Sequence, residues 1–256
     1  MSRTDSFRSR LHAGDNLIGT FLKTPTSHAA EIVGGLGFDF VVIDQEHAPF
    51  DRIATDVALL AARATDTPAL VRVPGPEAIL SVLDCGATGV LVPHVATVEH
   101  AREAVALCRY AGGRRGFATS TRAGGYTAVP MWQHIKERDE QTVVVAQIED
   151  PQALDQIEAI AAVDGIDSLF IGRADLSCAF ADQSKDPPAV REAVEKICAA
   201  ARKAGRPVSV YIGGESEATW LRSLGASMFV LSSDQGFLRE AAARGLAGVR
   251  KAVAVV

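Results

Sequence analysis

One recurrence limits what this chain can fold into. Eight short apolar runs alternate with helix-length segments: Leu17–Phe21, Phe40–Ile43, Ala69–Arg72, Gly89–Val92, Val143–Gln147, Ser168–Ile171, Val208–Tyr211 and Met228–Leu231. Continuous apolar runs of this length suit parallel strands covered on both faces. Amphipathic helical patterns lie between them, as in Val98–Cys108, Ala153–Ala162, Ala189–Ala204 and Ser216–Leu224. Four junctions repeat a motif. Leu36-Gly37-Phe38-Asp39, Cys85-Gly86-Ala87-Thr88, Val163-Asp164-Gly165-Ile166-Asp167 and Leu224-Gly225-Ala226-Ser227 each precede a strand. In each, the glycine provides the left-handed cap that ends a helix.

Eight such units predict an α/β fold, a (β/α)8 TIM barrel, with residues 1–256 forming a single domain. A doubly wound open sheet is the second architecture. It is disfavoured because the dinucleotide-binding glycine fingerprint is missing after the first strand. Lys plus Arg number 26 against 31 Asp plus Glu, a net charge of −5 with both signs spread along the chain. No basic block could neutralise a run of phosphates, so no nucleic-acid partner is expected. No apolar run approaches the ~20 residues that cross a bilayer, so no membrane partner is expected either. Met1–Asp15 carries Arg3, Arg8 and Arg10 without a following signal segment. The cysteines, Cys85, Cys108, Cys178 and Cys198, match neither zinc nor CxxC spacing. They read as reduced thiols in a cytoplasmic protein, with Cys85 and Cys178 as small core residues.

The stretch Arg109–Gln141 breaks the rhythm and reads as a functional loop or lid, or else as a disordered insertion. Phe117, Tyr126, Met131 and Trp132 within it are large groups that require burial.

Catalytic residues of a barrel sit where strands end. Strand two ends in Asp44-Gln45-Glu46-His47, strand three in Arg72, and strand five in Gln147-Ile148-Glu149-Asp150. Strand six runs into Gly172-Arg173-Ala174-Asp175, and strand eight ends in Ser232-Ser233-Asp234. Glu149 and Asp175, from neighbouring strands, repel unless protonated or bridged by a cation. A hard divalent ion such as Mg2+ or Mn2+ suits that pair. Alternatively one of them caps a helix, as Asp150 before Pro151 is expected to do. His47 is placed to carry a proton, whereas His12, His28, His100 and His134 read as structural. Arg72 closes a buried strand and needs an anion, either from a substrate or from Asp44 or Glu46. Among six lysines only Lys23 lies near the rim, which favours metal chemistry over a Schiff base.

Together these segments resemble the HpcH/HpaI family, the metal-dependent class II pyruvate aldolases related to citrate lyase β subunits. The resemblance runs from about Gly19 to Asp234. It rests on Gly19-Thr20-Phe21, Asp44-Gln45-Glu46-His47-Ala48-Pro49, Val71-Arg72-Val73, Leu83-Asp84-Cys85-Gly86-Ala87, Gln147-Ile148-Glu149 and Ile171-Gly172-Arg173-Ala174-Asp175-Leu176-Ser177, in that order. It implies that Glu149 and Asp175 bind a divalent ion, Mg2+ or Mn2+ first, with Co2+ or Zn2+ as further candidates. It also implies that His47 moves a proton, that Asp84 supports His47 within or across a subunit boundary, and that Arg72 stabilises an enolate. Arg72, Gln147, Gly172 and Ala174 would form the 2-keto-acid pocket, and Asp44 and Glu46 would hold metal-bound waters. Phe21 and Arg173 depart from the family's usual Trp and Pro. Arg173, with Arg122 in the loop, offers a second anion site.

The implied activity is reversible cleavage of a 4-hydroxy-2-keto acid to pyruvate and an aldehyde. The alternatives are a citrate-like or oxaloacetate lyase, synthase or decarboxylase using the same residues, and a non-catalytic keto-acid sensor. The last helix, about Asp234–Lys251, would pack on a neighbour in a homo-oligomer, a hexamer built as a trimer of dimers.

Overall fold

The computed structural model describes residues 2–184 and 186–254, so Met1, Lys185 and residues 255–256 of the expected single domain lie outside the described residues. The apolar runs become eight strands: Leu17–Leu22 (β1), Phe40–Asp44 (β2), Ala69–Arg72 (β3), Gly89–Val92 (β4), Val143–Ile148 (β5), Ser168–Ile171 (β6), Val208–Ile212 (β7) and Ala226–Ser233 (β8). All pair in parallel with their sequence neighbours, and β8 returns to β1, with Leu17 opposite Met228, to close the barrel. Both faces are buried because each faces a different apolar layer. In β2, Phe40 and Val42 join the barrel interior with Leu70, Leu91, Val145 and Phe170. Val41 and Ile43 join the layer beneath the helices. Gly37, Gly86, Gly165 and Gly225 have φ of +91°, +97°, +92° and +104°, the left-handed cap that the repeated junction demands.

Several features differ from what the sequence suggests. The helix Arg3–Ala13, which the sequence did not reveal, seals the N-terminal mouth with Phe7 and Leu11, both 0% exposed. Buried Asp167 pins it, taking Arg8 Nε at 2.8 Å and His12 Nε2 at 2.7 Å. Ala153–Ala162 is not one helix but a 3-10 turn, Pro151–Asp155, then Ile157–Ala161, because Gln156 leaves helical geometry between them. Cys178 is exposed on the helix Arg173–Phe180 instead of lying in the core.

The stretch 109–141 contains a 3-10 turn, Gly125–Thr127, and a helix, Met131–Gln141. It leaves the end of the helix Val98–Cys108 and leads into β5, on the side where strands begin. It is therefore no lid over this chain's own strand ends. Polar anchors hold it. Arg122 Nη2 binds Asp56 at 2.7 Å, and the Arg115 guanidinium stacks 4.4 Å from the Tyr110 ring. Burial of the four large groups is accordingly unnecessary: Phe117, Tyr126, Met131 and Trp132 are all exposed, Trp132 by 75%. The C-terminal helix Asp234–Val253 buries no residue, and Leu238, Leu246 and Val249 face solvent. Among the described residues no helix is long and apolar enough to cross a membrane.

Candidate active site

The C-terminal strand ends surround a cavity of about 680 Å³, lined among others by Phe21, His47, Arg72, Gln147, Gly172 and Asp175. The buried ends of β2 and β3 stand side by side, Asp44 opposite Arg72 in the register, so their side chains meet. Arg72 donates from Nε to Asp44 Oδ1 at 2.9 Å and from Nη2 to Oδ2 at 2.8 Å. Lys23 Nζ lies 3.2 Å from Oδ2, and the His47 backbone N–H donates to Oδ1 at 3.2 Å. Burial by itself pushes the Asp44 carboxyl up, but the Arg72 fork, the His47 N–H and Lys23 outweigh it and hold the group below its usual range. Four donors fill both oxygens, so of the two residues expected to hold waters, Glu46 is the one with an acceptor to spare. The anion that Arg72 required is thus protein-borne. The Arg72 guanidinium also lies 4.8 Å above the Phe21 ring. Among the described residues no acceptor engages its Nη1, which leaves that nitrogen for an incoming oxyanion.

Glu149 is 3% exposed at its side chain. The His94 N–H donates to its Oε1 at 2.9 Å, and Gln147 Nε2 donates to Oε2. Burial raises its carboxyl above the usual range. The two hydrogen bonds counter that in part, and the charge of Asp175 adds to the rise. Asp175 stands in the first turn of the helix Arg173–Phe180 and faces the same cavity. Gly172 lets the end of β6 lie against Glu149, since a Cβ there would lie 2.5 Å from Glu149 Cβ and 2.9 Å from Oε2. Ala174 follows it on the cavity wall.

His94 also joins the site, although no spacing in the sequence singles it out. It ends Val92-Pro93-His94 after β4, at the same rim, and the polar ends of strands two, three, five and six are its signal. Its Nδ1 lies 3.1 Å from Asp150 Oδ2 and 3.4 Å from Glu149 Oε1, while Nε2 lies 3.9 Å from Glu46 Oε1. Burial would lower its pKa, but Asp150, Glu149 and Glu46 more than reverse that and raise it. Asp150 therefore pairs with His94 and does not cap a helix through its side chain. One ligand atom each from Glu46, His94 and Glu149 lies within 4.8 Å of the others. Beside them the buried Gln147 Oε1 accepts no hydrogen bond, and Glu46 Oε2 has ion-pair contacts only, 3.3 Å from Arg72 Nε and 3.6 Å from His47 Nε2. A desolvated carboxylate with further carboxylate oxygens nearby fits a divalent cation.

His47 is exposed in the cavity, with Nε2 3.6 Å from Glu46 Oε2. Asp84 is not brought to it within the chain. Asp84 ends the helix Ile79–Asp84, on the side where β4 begins, and lies 3.6 Å from buried Arg115. Burial raises its carboxyl, against the pull of Arg115. Arg173 lines the cavity, but its donors are used: Nη1 binds Glu217 Oε1 and Nη2 binds the Tyr211 carbonyl, both at 2.8 Å. Arg122 is anchored at the other mouth, so the two arginines do not form one anion site.

A family model described as HpcH/HpaI aldolase/citrate lyase matches residues 17–241. The 5-keto-4-deoxy-D-glucarate aldolase of Klebsiella pneumoniae subsp. pneumoniae is 34% identical over 93% of this chain and 93% of its own. The pyruvate aldolase of Rhizobium etli is 36% identical over 91% and 92%. The crystal structure of an HpcH/HpaI aldolase/citrate lyase family protein from Burkholderia cenocepacia superposes with a TM-score of 0.91 at 31% identity, covering 96% and 99% of the two chains. A closed parallel barrel, a carboxylate site at its strand ends and these full-length matches agree: the chain belongs to the HpcH/HpaI aldolase/citrate lyase family and is a carbon–carbon lyase.

Proposed function

We propose that this chain reversibly cleaves a 4-hydroxy-2-keto acid to pyruvate and an aldehyde, with a divalent cation held by Glu149 and Asp175. The observation that carries this is buried Glu149, facing the charge of Asp175, which itself lines the cavity with Arg72, His47 and Gln147. The bound cation, Mg2+ or Mn2+ with Co2+ or Zn2+ as substitutes, supplies Lewis acidity that lowers the energy of an enolate. Gln147, Gly172 and Ala174 shape the floor that receives the keto acid. Arg72, locked by Asp44, aims Nη1 at negative charge that develops there, without reorganising. His47 accepts the 4-hydroxyl proton during cleavage and returns it during condensation, and Glu46 accepts from water or substrate beside it. Asp84 could assist His47 only from a second subunit. Four free thiols suit a cytoplasmic protein, and the exposed Leu238, Leu246 and Val249 suit a homo-oligomer with a single barrel per chain.

Purified protein, Mg2+ or Mn2+, pyruvate and a panel of aldehydes provide the test. Adducts that EDTA abolishes are expected, together with cleavage of the same products. A panel that yields no adduct while oxaloacetate or citrate is consumed would replace this reading with the dicarboxylate one. His47→Ala should keep cation and pyruvate binding and lose turnover. Equal inactivity of wild type and variant on every substrate would favour a non-catalytic keto-acid binder.

A further inference from the structure

We propose that the aldehyde this site accepts is uncharged, because Glu217 and Asp186 already occupy the two arginines that could bind a second carboxylate. The inference rests on the aldolase reading and names the class of its second substrate. A cavity of about 680 Å³ has room for a second reactant besides the keto acid. Beyond Gly172 its wall comes from the end of β7 and from the helices Arg173–Phe180, Pro188–Lys203 and Glu215–Ser223. Arg173 and Arg191 stand on that wall, and a free guanidinium there would suit a distal carboxylate. Both are already answered. Arg173 donates from Nη1 to Glu217 Oε1 and from Nη2 to the Tyr211 carbonyl, both at 2.8 Å. Glu217 Oε2 takes the Gly213 N–H at 2.8 Å, so each of its oxygens is engaged. Burial pushes the Glu217 carboxyl up, but Arg173 and the Gly213 N–H outweigh it and hold the group below its usual range. Arg191 lies 5.0 Å over the Trp220 ring and donates from Nη1 to Asp186 Oδ2 at 2.8 Å. That exposed pair adds little to stability, yet it keeps a negative charge beside the guanidinium.

The other cations of the cavity wall, among the described residues, are paired in the same way. Lys23 Nζ lies 3.2 Å from Asp44 Oδ2, and Arg72 is locked by Asp44 with Glu46 beside it. At the rim His94 faces Asp150 at 3.1 Å. A divalent cation set against Glu149 and Asp175 leaves the bound keto acid's own negative charge as the remainder. An aldehyde with a carboxylate would therefore enter beside a like charge. To gain a guanidinium on the outer wall it would have to displace Glu217 or Asp186, and the displaced carboxylate would stay close by and unpaired. An uncharged aldehyde meets no such opposition. Phe21, Tyr211 and Trp220 give its carbon chain aromatic surface, the Phe21 and Tyr211 rings lying 6.3 Å apart on the same wall.

The test measures kcat/KM for condensation with pyruvate, using the full-length protein with Mg2+ or Mn2+ and two matched pairs of aldehydes. One pair is 4-oxobutanoate and its methyl ester, the other 5-oxopentanoate and its methyl ester. Within each pair the reacting carbonyl is the same and the distal charge differs. The ester should be favoured by about tenfold or more in wild type. Glu217→Gln leaves Arg173 uncompensated and should shift that ratio about tenfold toward the acid. Asp186 is 66% exposed, so Asp186→Asn leaves packing intact, and it should shift the ratio a few-fold in the same direction. Equal use of acid and ester by wild type, a preference for the acid, or a ratio that neither substitution moves would overturn the proposal. A different result marks failure of the aldolase reading itself: no adduct from any of the four aldehydes, acid or ester, and the proposal falls with it.

Discussion

Replacing Asp44 by Asn tests the electrostatic frame of the site most directly. The side chain keeps its volume, so packing is unchanged and the charge alone is lost. Asp44 is 0% exposed and faces Arg72, whose side chain is 8% exposed. Breaking a buried pair by removing one partner costs about 3–5 kcal/mol, because the other charge stays buried. Glu46 Oε2, 3.3 Å from Arg72 Nε, remains as a partial substitute. The expected loss is therefore near the lower bound, about 3 kcal/mol. For a chain of this size that is roughly a 6–12 °C fall in Tm. The pH dependence fixes the cause. The folded-state pKa of Asp44 is lowered, so its stabilisation is fully present above the unfolded value of about 3.9. It is lost as pH falls through the lower folded value. Thermal melts of wild type and Asp44→Asn should differ by a constant amount between about pH 7 and pH 5, then converge below about pH 4. A difference under about 1 kcal/mol at pH 7, or one that persists unchanged in acid, would refute the argument.

Two further outcomes follow from the geometry. Gly172→Ala places a methyl 2.5 Å from Glu149 Cβ, so about 1–3 kcal/mol of overpacking is expected, with Mn2+ affinity falling in calorimetry as Glu149 is displaced. Asp167→Asn should release the N-terminal helix. Burial pushes that carboxyl up, but His12, Arg8 and the Val144 N–H hold it below the usual range, so about 3 kcal/mol present above pH ~4 should be lost. Hydrogen exchange should then rise first in residues 3–13.

The strands were legible because their signal is local: a buried parallel strand is a continuous apolar run, and seven of the eight begin at the residue where the run begins. The repeated glycines were legible for the same reason, since a left-handed cap is a property of one residue. The rim residues Glu149, Asp175, Arg72 and His47 followed from adding topology to that list. What failed depended on non-local context. The helix Arg3–Ala13 has a weak apolar face, and only Phe7 and Leu11 need burial because only the tip of the barrel receives them. Asp84 is a different case: it stands in a segment that matches the family, and its place at the opposite mouth of its own barrel, which no spacing along the chain discloses, leaves only the subunit boundary for its support of His47. Phe117 and Trp132 are large enough to call for burial, but Arg122, Arg115 and Tyr110 fasten their segment through polar and cation–π contacts. His94 was missed for a simpler reason: strand four ends in Pro-His with no acidic neighbour in sequence, and its partners come from strands two and five.

The sealed N-terminal end has a kinetic consequence. With Phe7 and Leu11 closing that mouth and Phe40, Leu70, Leu91, Val145 and Phe170 filling the interior above them, the cavity at the strand ends has no way through the barrel, and molecules enter and leave it from the strand-end side. With the keto acid on the floor, as proposed above, it must arrive before the aldehyde and depart after it. Steady-state kinetics should accordingly be ordered, with excess aldehyde trapping pyruvate beneath it and slowing turnover.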